Sequence, residues 1–269
     1  MITIDRATCI GCGKCVGDCF TDDIELVEGK AQSKGVLCLE CGHCLAICPT
    51  NSVTLVNFSN ADIVKVKEED RLDPDQLLRW MKSRRTIRKF RDEPVLAEDL
   101  QKILAMGIHS PKGGNVQNVS YVVIQDNLHH ARNLAIDSLY NISDLSEELK
   151  KEPNMIRYAK MWKRMYDENK LPDAPDRLFF GAPCVILLIS PSSINACIAA
   201  AHMETMVYSL GLGMLYSGFT ARAVNYSREF KEFLGIKESD TVQASLVIGH
   251  PAVRYERSAP KNLPVIIRR

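Results

Sequence analysis

Cys9-Ile10-Gly11-Cys12-Gly13-Lys14-Cys15-Val16-Gly17-Asp18-Cys19 and Cys38-Leu39-Glu40-Cys41-Gly42-His43-Cys44-Leu45-Ala46-Ile47-Cys48-Pro49 are two copies of one pattern. Each is followed by a short strand-like run, Ile24-Glu25-Leu26-Val27 after the first and Val53-Thr54-Leu55-Val56 after the second. One supersecondary unit used twice predicts a small pseudo-symmetric domain over residues 1–57. In each copy three cysteines lie within seven residues at spacings of three, a loop tight enough to wrap three corners of a cubane cluster. Clustered cysteines in a reducing compartment point to metal rather than to disulfides. Two four-cysteine zinc sites are the alternative, although zinc motifs pair one C-x2-C with a distant second pair.

Both runs resemble those of bacterial two-cluster ferredoxins, in which the fourth cysteine of each run ligates the other cluster. On that resemblance Cys9, Cys12, Cys15 and Cys48 hold one [4Fe-4S] cluster, and Cys38, Cys41, Cys44 and Cys19 hold the second. One departure stands out: Phe20 follows Cys19, where Pro49 follows Cys48. A free-standing ferredoxin ends near residue 56. This chain runs to residue 269, so the clusters are expected to feed a second domain.

Residues 58–73 read as a linker, because Lys65-Val66-Lys67-Glu68-Glu69-Asp70-Arg71 is too charged to pack fully; a solvated strand edge is the other reading. A helix is expected after Asp73, with Asp73 as N-cap, Pro74 in the first turn and Leu77, Leu78 and Met81 on its apolar face. Another covers 97–108, with Leu100, Ile103 and Leu104 on one face. Residues 121–124 read as a strand, 127–140 and 144–168 as helices, 184–189 as a buried strand, 193–210 as an Ala-rich helix, and 213–219 and 243–248 as strands. The fold class is α+β: an α/β sandwich on a mixed or antiparallel sheet over 74–269, preceded by the small ferredoxin-like α+β domain.

Ser83-Arg84-Arg85-Thr86-Ile87-Arg88-Lys89-Phe90-Arg91 packs five cations into nine residues. It reads either as a solvated turn or as a phosphate clamp, with Arg84 and Arg88 as bidentate donors and Thr86 offering a hydroxyl. Ser110-Pro111-Lys112-Gly113-Gly114-Asn115-Val116-Gln117-Asn118 follows, with glycines that let a ligand approach the backbone. Together these stretches resemble the nitroreductase family of FMN-dependent oxidoreductases. Arg84, Arg85, Thr86, Arg88 and Phe90 match its opening pattern, and Ser110, Pro111, Asn115 and Gln117 match its second. Asn118 and Val119 stand where the family has Pro-Trp. Tyr216, Ser217 and Gly218 resemble the segment beside the flavin ring, and Gly249-His250-Pro251 resembles the family's Gly-Tyr-Pro turn.

The resemblance covers about residues 75–269. It implies a nitroreductase-like fold, FMN held by Arg84, Arg85, Thr86, Arg88, Pro111, Lys112, Gly113, Asn115, Gln117, Tyr216, Ser217 and Gly218, and a phosphate contact from Arg254, Arg257 or Lys261. It implies a homodimer with FMN between subunits. It also implies a small organic acceptor (nitroaromatic, enone or quinone-like), reduced with electrons from a ferredoxin, a flavodoxin or NAD(P)H. No side-chain acid or base is assigned. Reductive dehalogenation or flavin modification on the same fold is the alternative chemistry; a non-enzymatic iron–sulfur electron carrier is the alternative class. No G-x-G-x-x-G supports a Rossmann nicotinamide site.

The formal net charge of +1 gives no global field for nucleic acid or an anionic membrane, and none is expected as partner. The composition, 46% hydrophobic and 25% charged, allows a sizeable core. No secretory pattern opens the chain, and a cytoplasmic location is expected. From Leu178 to Ala221 the one formal charge is Glu204, yet polar and glycine breaks interrupt any span of the roughly 20 apolar residues a membrane helix needs. Cys184 and Cys197 read as inert core, and His202 and Glu204 either as functional groups in the uncharged stretch or, the reading preferred, as hydrogen-bonded structural residues. Residues 155–169 read as a lid over the flavin, a dimer contact or a surface helix.

Overall fold

The structure, a computed structural model, describes every residue except 60–62, 145–150, 152–153 and 172. It comprises two compact units. The first is Met1–Leu72 together with Lys112–Val116; the second is Asp73–Pro111 together with Gln117–Arg269.

The first unit realises the repeat. Helix α1 (Lys14–Gly17) lies within the first cysteine run and strand β2 (Ile24–Val27) follows it; helix α2 (His43–Ala46) lies within the second and strand β4 (Val53–Leu55) follows it. Strand β3 (Lys30–Ser33) pairs antiparallel with β2, and β1 (Ile2–Ile4) pairs antiparallel with β4. Equivalent positions share backbone conformation: Gly13 and Gly42 enter the helices at φ +72° and +78°, and Asp22 and Asn51, each three residues past a fourth cysteine, both sit at φ +53°. The core joins Ile2, Ile24, Ala31 and Val53 to Cys9, Cys15 and Cys44. The sequence reading did not include β1 and β3, which are too short to show a period.

The charged run Lys65–Arg71 is exposed and holds one short turn, Glu68–Asp70. In the second unit, α3 (Pro74–Ser83) begins as expected: the Asp73 carboxylate accepts the Gln76 backbone N–H at 2.6 Å, with Pro74 in the first turn. Then come α4 (Ala97–Ile108), β5 (Ser120–Ile124), α5 (Leu128–Ile142), α6 (Met155–Glu168), β6 (Cys184–Ile189), α7 (Ser193–Ser209), β7 (Gly213–Tyr216), α8 (Gly218–Tyr226), α9 (Arg228–Phe233) and β8 (Val242–Gly249). Part of the helical pattern expected over 144–168 lies outside the described residues.

The sheet order is β5-β6-β8-β7, antiparallel at every pairing. Strand β6 is buried along its whole length and serves two cores by alternation. Val185, Leu187 and Ile189 pack with α5, α6, α8 and α9, including Trp162 and Phe230. Cys184, Ile186 and Leu188 pack with α4 and α7, including Ile103 and Met203. The result is a three-layer sandwich with helices on both sheet faces.

Two expectations are corrected. The strand expected over 213–219 ends at Tyr216, because the Ser217 hydroxyl accepts the Thr220 backbone N–H and starts α8. Cys197 is exposed rather than packed. The buried stripe of α7 runs Ala196, Ala199, Ala200, Met203, Val207, and Cys197 falls one residue off it. Cys184 is core as expected, and burial pushes its thiol up to about 12.

Candidate functional site

The eight N-terminal cysteines line two separate cavities. Cys9, Cys12, Cys15 and Cys48 line one; Cys19, Cys38, Cys41 and Cys44 line the other. Three cysteines of each run thus meet the fourth of the other. Backbone N–H groups point at the sulfurs: Ala31 donates to Cys9 Sγ at 3.4 Å, Glu40 to Cys38 Sγ at 3.4 Å and Ser52 to Cys48 Sγ at 3.3 Å. The Thr21 and Thr50 hydroxyls lie 3.6 Å from Cys19 and Cys48 Sγ, again at matching places in the repeat.

These donors favour thiolate over thiol. The Ala31 N–H leads in holding the Cys9 thiol below its usual value. Burial pushes Cys48 up, but the Thr50 hydroxyl and the N–H groups of Thr50 and Ser52 outweigh it. Deeper in the core, burial pushes the Cys44 thiol up to about 11. Two cavities, each ringed by four thiols and fringed with N–H donors, offer the donor set of an iron–sulfur cluster. Among the described residues no three His, Cys, Asp or Glu side chains converge on a single-ion site.

In the second unit, the basic run lies along β7 and the turn after β8. The Ile87 N–H donates to the Met214 carbonyl at 3.0 Å and the Arg91 N–H to the His250 carbonyl at 2.8 Å; Phe90 bridges to Pro251. Gly213 permits this closeness, since a β-carbon there would lie 2.5 Å from Ile87 Cγ1. Three stretches far apart in sequence therefore meet. Beside them opens a cavity of about 600 Å³ lined by Arg88, Tyr216, Ser217 and Gly218, all expected from sequence. It is also lined by Tyr158 and Met161, from the 155–169 segment read as a possible lid, and by Arg177, Phe180, Phe219 and Arg222, which were not singled out. Tyr158 and Met161 project from α6, whose Trp162 and Met165 are core.

Other candidates are placed differently. The Arg84 guanidinium pairs with Glu204 at 2.9 Å, and Tyr216 donates to the same carboxylate at 3.4 Å. Burial, then Glu204, pushes the Tyr216 phenol far above the ordinary tyrosine range. Arg85 is locked by backbone: its N–H donates to the Tyr208 hydroxyl at 2.5 Å, and that hydroxyl donates back to the Arg85 carbonyl. Thr86 is half-buried beside it. Arg254 pairs with Glu256 at 3.4 Å, while Arg257 and Lys261 are exposed. Pro111 and Gln117 are exposed in the second unit, whereas Lys112, Gly113 and Asn115 belong to the first. Asn118, at the family's proline position, accepts from Asn195 Nδ2 at 3.0 Å.

Comparison with known proteins matches residues 81–250 to the nitroreductase family. The chain belongs to that family. Residues 1–68 match the 4Fe-4S dicluster domain. Among similar proteins, the iodotyrosine deiodinase of Nematostella vectensis is 24% identical over 71% of this chain and 73% of its own. A nitroreductase with bound FMN from Bacteroides fragilis superposes with a TM-score of 0.54 at 17% identity, covering 72% of this chain and 99% of that one. A BluB-like flavoprotein from Clostridium difficile gives 0.54 at 16% identity, covering 71% and 99%. These two likenesses fix the nitroreductase fold of the second unit. Among the described residues no helix is long and apolar enough to cross a membrane.

Proposed function

We propose that this chain is an FMN-dependent oxidoreductase that takes in electrons through two [4Fe-4S] clusters and reduces a small organic acceptor such as a nitroaromatic, an enone or a quinone-like molecule. The observation that carries it is the pairing of two four-cysteine cavities with an arginine-bearing cavity in a nitroreductase-family chain. Bound clusters exchange single electrons, and bound FMN converts between one- and two-electron steps.

The protein's own residues hold and insulate these groups. Cys9, Cys12, Cys15 and Cys48 ligate one cluster; Cys19, Cys38, Cys41 and Cys44 ligate the other. N–H donors to the sulfurs stabilise the added charge and raise the potential. In the flavin cavity Arg88 has no acidic partner among the described residues and is the phosphate ligand of choice. The Gly218 and Phe219 N–H groups open α8 beside it. Phe180, Phe219 and Tyr158 supply an apolar wall that excludes water from the ring. NAD(P)H, a ferredoxin or a flavodoxin serves as donor, and the working form is a homodimer.

Anaerobic purification with an iron, sulfide and flavin count tests this. About eight irons and one FMN per chain are expected for two cubanes and one flavin site. Protein without flavin that fails to bind added FMN would overturn the enzymatic reading. Reductive dehalogenation is the second reading, favoured by the likeness to the iodotyrosine deiodinase. Product analysis with halogenated and nitro aromatics side by side separates the two.

A further inference from the structure

The repeat sets Gly11 and Glu40 at equivalent positions, each just before the second cysteine of its run. Both are left-handed, at φ +67° and +50°. At Gly11 glycine meets that demand freely, and the Gly29 carbonyl occupies the place of a side chain. Glu40 adopts the same conformation with a side chain attached, which is disfavoured for residues other than Gly, Asn and Asp. Neighbours hold it there. The Glu40 carboxylate accepts from Asn57 Nδ2 at 2.8 Å and pairs with the Met1 ammonium. Its backbone is gripped from 75 residues away: Asn115 Nδ2 donates to the Leu39 carbonyl and to the Glu40 carbonyl, both at 3.0 Å.

Two features make that grip specific. Both partners are carbonyl oxygens, so the NH2 end of the amide must face them. Asn115 is itself left-handed, at φ +53°, directly after Gly114 at φ +60°, a pair of turns that delivers the amide to the loop. The Leu39 carbonyl belongs to the same peptide plane as the Glu40 N–H, and that N–H donates to Cys38 Sγ at 3.4 Å. Fixing one end of the plane aims the other at the sulfur.

We propose that Asn115 is a positioning residue for the iron–sulfur site of Cys19, Cys38, Cys41 and Cys44: it clamps the Leu39–Glu40 peptides, fixes the Cys38–Cys41 loop and orients its N–H···S bond. This rests on the cluster reading above and assigns Asn115 to the cluster site rather than to the flavin.

The test uses the full chain, purified anaerobically. Asn115→Gly keeps the left-handed backbone and removes the amide; Asn115→Asp sets a carboxylate against two carbonyls. Iron, sulfide and FMN are counted before and after timed air exposure, and each cluster's potential is followed by electron paramagnetic resonance. Cys19→Ala supplies the signal of the first cluster alone. The expected Asn115→Gly protein starts with about eight irons, keeps its FMN, loses the second cluster several-fold faster in air, and shows a lower potential for that cluster only. Asn115→Asp does the same more severely. Adding Glu40→Gly, which removes the strain, restores much of the lifetime. Native decay and potential in Asn115→Gly would overturn the inference, as would loss of FMN with both clusters behaving natively. Native protein holding only about four irons would instead sink the two-cluster reading itself, and this inference with it.

Discussion

At Gly11 a β-carbon would stand 2.0 Å from the Gly29 carbonyl oxygen, on a backbone already at φ +67°. Neither conflict can be relieved by rotating a side chain, because the obstacle is main chain. Gly11→Ala should therefore displace the Cys9–Cys12 loop and strip the first cluster, halving the iron count while the second cluster's signal survives. Cys19→Ala should do the converse, removing the cluster held by Cys38, Cys41 and Cys44; loss of the first cluster alone would break the crossed assignment. Arg88 is read from the basic run and does line the large cavity. Loss of one charge-assisted phosphate contact costs about 1.5–3 kcal/mol, so Arg88→Ala should weaken FMN binding about ten- to a hundredfold in a fluorescence titration. Arg84 looks equivalent in sequence, but it faces Glu204, 120 residues on. Nothing in a local motif announces such a partner, so neither Arg84's pairing nor Asn115's grip on Leu39 and Glu40 could be read from the sequence.

Elements were legible where periodicity and capping agree. Asp73-Pro74 marks the start of α3 to the residue, and the uninterrupted run 184–189 gives β6 its full burial. The reading failed where elements are short or share composition. Helices α8 and α9 span nine and six residues, and α8 begins at what looks like the end of an apolar strand. The serines at 217 and 227 are the signal that could have found them, since each caps a helix. The two remaining cysteines show how face decides consequence. In β6 Cys184 has no exposed surface and sits between Ile103-bearing α4 and α7. Cys184→Ser would bury a hydroxyl among apolar groups and should cost about 1–3 kcal/mol by denaturant unfolding. Cys197→Ser, on the exposed face of α7, should change stability by less than about 0.5 kcal/mol. Equal effects at the two sites would contradict the register of α7.

At the scale of the whole molecule, apolar surface is left over. Helix α3 has the amphipathic face expected from Leu77, Leu78 and Met81, yet it buries none of its residues; those three are 38%, 53% and 44% exposed. Helix α7 buries one stripe and turns Ile194 outward at 70%. In the tail, Leu263, Val265, Ile266 and Ile267 are all at least 70% exposed. A helix that is strongly amphipathic but half-naked in its own chain implies a partner surface. A second copy of the chain is the occupant that the family resemblance names, and it would place FMN between subunits. Sedimentation should then give twice the 30.1 kDa chain mass for the native protein. Leu78→Glu combined with Met81→Glu puts two like charges on the α3 face, and burying an unpaired charge in an interface is costly enough to split the dimer. The expected product is a monomer that retains both clusters, since neither cysteine cavity includes an α3 residue, but loses FMN on gel filtration. A native monomer with full flavin, or a charged variant that stays dimeric, would show that α3 is not the dimer face.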